Sequence, residues 1–150
     1  NMLYESEEKK MLVSTKGRYA LRVMIDHAKR DPSEFITLNV IAEEEEISEK
    51  YLESIISVLS KAGFVEGVRG KGGGYRLTKS ADEYTAGDII QLMEGGVSPV
   101  ACLENGAKIC DRAEKCTTLP MWKELDKIIC DYLNSVKLSD LASEKNKSEK

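Results

Sequence analysis

Residues 48–78 read SEKYLESIISVLSKAGFVEGVRGKGGGYRLT, and the fold is decided there. Ser48 stands where a helix cap belongs, and Leu52, Ile55, Ile56 and Leu59, joined by Tyr51, recur at helical spacing. Lys61 near the end and Gly63 just beyond it are stop signals, so the helix closes at about Ala62. Phe64 to Arg69 then reads as a strand, Gly70–Gly74 as a glycine-rich tip, and Tyr75 to Thr78 as the returning strand. Upstream, Ser14 or Thr15 caps a first helix with Leu21, Met24, Ile25 and Ala28 inward. After a loop at 31–34, Thr37 caps a short second helix with Leu38, Ile41 and Ala42 inward. Three helices followed by a glycine-tipped hairpin make a winged helix. The expected fold class is mainly α with a small β-hairpin wing.

Downstream, Thr85 and Asp88 form a capping box opening a fourth helix through Ile89, Ile90, Leu92 and Met93, which Gly95-Gly96 ends. Residues 97–118 lack clear periodicity and hold Cys102, Cys110 and Cys116. Pro120 sits where a helix begins, and Trp122, Leu125, Ile128, Ile129, Leu133 and Val136 form an apolar stripe. A helix so far in sequence from the first core needs a partner, and a second copy of the chain is the simplest one. Dimerisation is therefore assigned to Trp122, Leu125, Ile129 and Leu133. The expected organisation is an N-terminal extension at 1–10 and a winged-helix domain at 11–84. A linker helix, cysteine loop and dimerisation helix follow at 85–142, then a Ser/Lys/Glu-rich tail at 143–150 that frays.

Apolar residues make up 41% of the 150 residues and charged ones 32%, which gives a soluble chain with ample core. No apolar stretch approaches a membrane span, and the polar N-terminus is unlike a secretory signal. The expected location is the cytoplasm, where four cysteines are reduced thiols or metal ligands rather than disulfides. A net charge of −4 argues against nonspecific coating of nucleic acid. Yet Lys16, Arg18, Arg22, Lys29 and Arg30 face only Asp26 between residues 14 and 30. Arg69, Lys71, Arg76 and Lys79 face no acid between 67 and 79, while acids gather at Glu43–Glu46. Two basic patches on an acidic protein suggest a directed anion-binding face.

Helices two and three, separated by a turn at 45–48, have the helix-turn-helix layout, in which the N-terminal part of the second enters the major groove. The residues expected to be exposed on it are Glu49, Lys50, Glu53, Ser54 and Ser57. Lys50 can donate to guanine or phosphate, and Glu53 can accept from cytosine. In the wing, Arg69 and Lys71 flank glycines that let backbone approach phosphate or a narrow minor groove. The expected DNA contacts are Lys50, Glu53, Ser54, Arg69, Lys71, Gly72 and Arg18. The glycine stretch is not a P-loop, because Lys71 precedes Gly72 rather than Ser or Thr. No nucleophile–base pair marks an enzyme.

The three cysteines form a C-x7-C-x5-C array. Their wide spacing and missing fourth ligand are unlike a structural zinc site. Soft thiolates suit an iron–sulfur cluster, and three unliganded thiols are the plainer alternative. Cys130, beside Ile129 and Leu133, reads as a packed side chain. His27, the only histidine, takes a surface or core role by default, and Trp122 that of a core or interface anchor.

Ser14-Thr-Lys-Gly-Arg-Tyr-Ala, Tyr51-Leu-Glu, Val68-Arg-Gly-Lys-Gly-Gly-Gly-Tyr and Cys116-x5-Trp122 together resemble the Rrf-two family of winged-helix regulators. The match runs from about Met11 to Ala142. The resemblance implies a homodimer with crossing C-terminal helices that binds a roughly palindromic operator in double-stranded DNA. Glu53 and Arg69 fall at DNA-reading positions, and Cys102, Cys110 and Cys116 match the ligands of the cluster-sensing branch, [2Fe–2S] or [4Fe–4S]. Such a cluster is prone to loss from protein purified in air. Two departures stand out. The histidine that completes one cluster type is replaced by Leu119, and an aspartate that serves another is replaced by Arg18. The fourth ligand therefore stays open among Glu104, Asp111, Glu114, Thr118, a partner-chain residue, water or a small thiol. A cluster-free branch regulating cysteine and sulfur metabolism lacks this triad and is the alternative reading.

Overall fold

The computed structural model describes residues 13–100, 103 and 111–143. Its element order is α1 (Thr15–Ala28), α2 (Leu38–Glu45), α3 (Glu49–Lys61), β1 (Val65–Val68), β2 (Gly74–Leu77), a 3-10 turn (Ala81–Glu83), α4 (Ala86–Glu94), α5 (Leu119–Ser135) and α6 (Leu138–Ser143). No described helix is long and apolar enough to cross a membrane.

Capping chemistry sets the boundaries. The Ser14 and Ser48 hydroxyls accept from the Gly17 and Tyr51 amides, and Thr85 and Asp88 cap reciprocally. Between α2 and α3 the chain turns on Glu46, a non-glycine residue at φ 54°. A second force holds α2. Its C-terminal acids would oppose the helix dipole if left alone, but Arg22 of α1 binds both the Glu45 carboxylate at 2.9 Å and its carbonyl at 2.6 Å. Arg30 similarly joins Asp26 to Glu44. The charge reading is corrected here: Arg22 and Arg30 clamp α2 to α1 instead of joining an anion-binding face.

β1 and β2 pair antiparallel, from Val65 opposite Leu77 to Val68 opposite Gly74. Gly74 adopts φ 134° against the Ile36 backbone, where any Cβ would collide with the Ile36 carbonyl. The core combines Ala20, Val23 and Met24 of α1 with Ile41, Leu52, Ile55, Leu59, Val65, Tyr84, Ile89 and Leu138. Sequence spacing picked Met24 correctly but placed Leu21, Ile25 and Ala28 inward, where they are half-buried at the core's edge. The buried Tyr84 hydroxyl donates to the Phe64 carbonyl at 2.8 Å and accepts from the Lys79 amide.

α6 was not anticipated. After α5 the chain returns to residues 84–86: Ala86 N–H donates to the Val136 carbonyl at 2.8 Å, and Leu138 N–H to the Tyr84 carbonyl at 2.9 Å. α6 then packs on α1 with Leu138 fully buried.

His27, at the end of α1, is 4% exposed, and its Nε2 has no hydrogen-bond partner among the described residues. Burial, reinforced by the Arg30 charge, lowers its pKa from 6.5 to about 4. The unfolded chain therefore takes up this proton near pH 6.5 and the folded protein only near 4. Stability should fall by roughly 3 kcal/mol as pH drops through that window. Denaturant titrations of wild type and His27→Leu should diverge between pH 7 and 4, the variant lacking this share of the acid sensitivity. Parallel pH profiles would refute the assignment.

Candidate nucleic-acid interface

α3 buries Leu52, Ile55, Ile56 and Leu59, which turns Lys50, Glu53, Ser54 and Ser57 to solvent. Ser54 Oγ donates to the Tyr51 carbonyl at 2.6 Å, which leaves its lone pairs to accept. At the wing tip Arg69, Lys71 and Gly72 are all exposed, and Gly72 sits at φ 79°. Lys50, Arg69 and Lys71 enter no ion pair among the described residues, whereas Arg76 is held by Glu66 at 2.8 Å and lies over the Phe35 ring. Free cations thus stand at the start of α3 and at the wing tip.

Two open grooves join these elements. One, about 270 Å³, is lined by Glu53 and Ser57 of α3. The other, about 390 Å³, is lined by Thr37, Val68, Arg69 and Gly70. They share Leu38, Ser60 and Tyr75, so the exposed face of α3 runs into the wing. Thr37, Tyr75 and Val68 were missed from sequence. Their signal was the cap position of Thr37 and the strand alternation that leaves Val68 51% exposed. Arg18 is exposed on α1, its guanidinium donating to Thr15 Oγ1 at 3.3 Å, and lines neither groove.

Cys102 and Cys110 lie outside the described residues, as does Glu104. Cys116 is half-exposed just before α5, its sulfur 3.4 Å from Thr118 Oγ1. Hydrogen bonding from Thr118, aided by the Arg112 charge, holds this thiol below its ordinary pKa. Cys130 behaves oppositely: burial and then the charges of Asp126 and Asp131 push it up. Contrary to the packed position expected, Cys130 is exposed, at a groove between α4 and α5 that Leu133 also lines. Trp122, Leu125 and Ile129 are half-buried, and α5 has no buried residue. Among the described residues, no three His, Cys, Asp or Glu side chains gather closely enough to hold a metal ion.

Comparison with known proteins places this geometry. The model of Rrf2, described as an iron-dependent transcriptional regulator, matches residues 13–144. This chain belongs to the Rrf2 family. It is 41% identical over 133 residues to the HTH-type transcriptional regulator CymR of Bacillus subtilis, covering 89% of this chain and 91% of that protein. It is 38% identical over 135 residues to the regulator IscR of Pectobacterium carotovorum, covering 90% and 81% respectively. The solved structure of CymR, titled the global cysteine regulator of B. subtilis, superposes with a TM-score of 0.74 at 39% identity, covering 90% of this chain and 98% of that one. The Rrf2 assignment makes the protein a DNA-binding transcriptional regulator, and the α3–wing surface is its candidate interface.

Arg69→Ala should weaken operator binding by ~1–3 kcal/mol if the guanidinium enters a groove. Fluorescence anisotropy at fixed salt checks this, and unchanged affinity removes Arg69 from the interface.

Proposed function

We propose that the protein works in the cytoplasm as a homodimer on a roughly palindromic operator, and that Cys102, Cys110 and Cys116 hold an iron–sulfur cluster governing that binding. The observation carrying the reading is the C-x7-C-x5-C set between α4 and α5, with Cys116 presented half-exposed at the foot of α5. Three soft thiolates fit such a cluster. The fourth position is open to a donor from this subunit, its partner, water or a small thiol. When bound, the cluster supplies redox chemistry and sensitivity to oxidants.

The chain's own residues do the rest. Lys50, Arg69 and Lys71 meet phosphates or groove edges, and Gly72 lets backbone approach. Glu53 sets base preference by accepting from cytosine. Ser54 can accept beside it, and Arg18 adds a phosphate contact from α1. Two-fold pairing through α5 places two such surfaces about one helical turn, or a multiple, apart. The cysteines lie between α4, which packs on the DNA-binding core, and α5, so a group bound to them bears on both.

A second reading is a cluster-free regulator of cysteine or sulfur metabolism, favoured by the 41% identity to CymR. Anaerobic reconstitution with iron and sulfide separates the two. Wild type should take up stoichiometric iron with visible absorption, Cys130→Ser should retain it, and the Cys102, Cys110, Cys116 triple serine variant should lose it. No iron in wild type, or equal iron in the triple variant, leaves the cluster-free regulator.

A further inference from the structure

A further cleft lies away from α3 and the wing tip. It holds about 620 Å³ between the end of α1, the loop leading to α2, the base of the hairpin and the 3-10 turn. That volume suits a small metabolite. His27 lines it, and the Nε2 of this buried imidazole is the one buried side-chain nitrogen or oxygen among the described residues without a partner. Folded proteins keep few such atoms.

The wall charges narrow the ligand's chemistry. Arg30 and Arg76 are occupied by Asp26, Glu44 and Glu66, and Asp31 and Glu83 accept from Ser33 and Ser80. Two lining charges have side chains in no hydrogen bond or ion pair among the described residues. Lys79 has only the Tyr84 ring 6.0 Å away, and Glu34 has nothing. One open charge of each sign, on different segments of one cleft, leaves any singly charged ligand facing an unmatched wall. A zwitterion satisfies both. Ile36 and Leu77 add apolar surface for a side chain.

We propose that this cleft binds a small zwitterion of the amino-acid class, its carboxylate on Lys79 and its ammonium on Glu34, with His27 as part of the wall. The imidazole is neutral near pH 7 and so adds no charge to upset that balance. The Glu66–Arg76 pair across β1 and β2 lines the same cleft, so an occupant bears on the hairpin carrying Arg69. That consequence rests on the DNA-binding reading above. The binding itself does not.

The experiment uses the full chain without DNA, combining thermal melts and titration calorimetry. The probes are the protein amino acids singly at millimolar concentration, with succinate and putrescine as ligands of one sign. At least one amino acid should raise the melting temperature by roughly 5 °C near saturation. Glu34→Gln and Lys79→Met, both at exposed positions, should each weaken its binding about tenfold. No shift with any amino acid overturns the proposal. So does equal binding of succinate or putrescine, which would mean recognition of one charge only. Undiminished binding in the Glu34 and Lys79 variants would place the ligand elsewhere and overturn it equally.

Discussion

Replacing Leu138 with alanine should lower the stability of the protein by about 2–5 kcal/mol, the cost of emptying a fully buried leucine site. Leu138 is 0% exposed and belongs to the core cluster that includes Ala20, Met24, Tyr84 and Ile89. Its amide also bonds the Tyr84 carbonyl, so a cavity there loosens a backbone junction as well as a packing contact. Leu141, half-buried on the same short helix, should lose much less on the same change. Urea denaturation of both variants measures the difference. A loss below about 1 kcal/mol for Leu138→Ala would mean that α6 contributes no core.

That junction matters beyond stability. α5 packs along α4, and the chain leaving it pairs through Lys137 with Thr85, at the start of α4. Both ends of the route from wing to α5 are thereby tied to the core that positions α3. Rearrangement between α4 and α5 therefore has a short mechanical path to α3, the proposed recognition helix.

The elements legible in sequence were those that carry their own punctuation. Ser14, Ser48 and the Thr85–Asp88 pair mark helix starts by local hydrogen bonds, and the glycines of 70–74 mark the hairpin tip by backbone geometry. α6 was missed because it is only six residues long and its partners, Tyr84 and α1, lie more than 50 positions away. The commitments of Arg22 and Arg30 were missed for a related reason. A count of charges along the chain assigns a basic patch, but pairing with Glu44 and Glu45 depends on how α2 crosses α1. In the candidate interface, the exposed residues of α3 followed directly from its buried stripe. The grooves through Thr37 and Tyr75 needed the hairpin's position against α2. His27 gave no signal at all, since a lone histidine on a helix reads alike whether solvated, packed or facing a ligand.

The second large effect concerns α5. This 17-residue helix has no buried residue, and Met121, Ile128 and Tyr132 are 53%, 55% and 66% exposed. With Leu125 they recur at i, i+4, i+7 and i+11, one continuous stripe. The opposite side is already used, since Cys130, Leu133 and Asn134 face α4. An apolar stripe left over after a helix has packed on its own subunit is what a two-fold interface requires. Trp122 and Ile129, named from sequence alone, lie half-buried near this stripe, while Met121 and Tyr132 were overlooked. Ile128→Glu should therefore split the proposed dimer, because a carboxylate buried there without a partner costs about 3–5 kcal/mol and a dimer carries two copies. Ile128 is exposed within the subunit, so the variant should keep its far-ultraviolet circular dichroism. Lys127→Glu, at a position 69% exposed on the side chain, should stay dimeric. Sedimentation velocity reads both. A folded, dimeric Ile128→Glu protein would place the two-fold contact on another surface, and with it the spacing expected between operator half-sites.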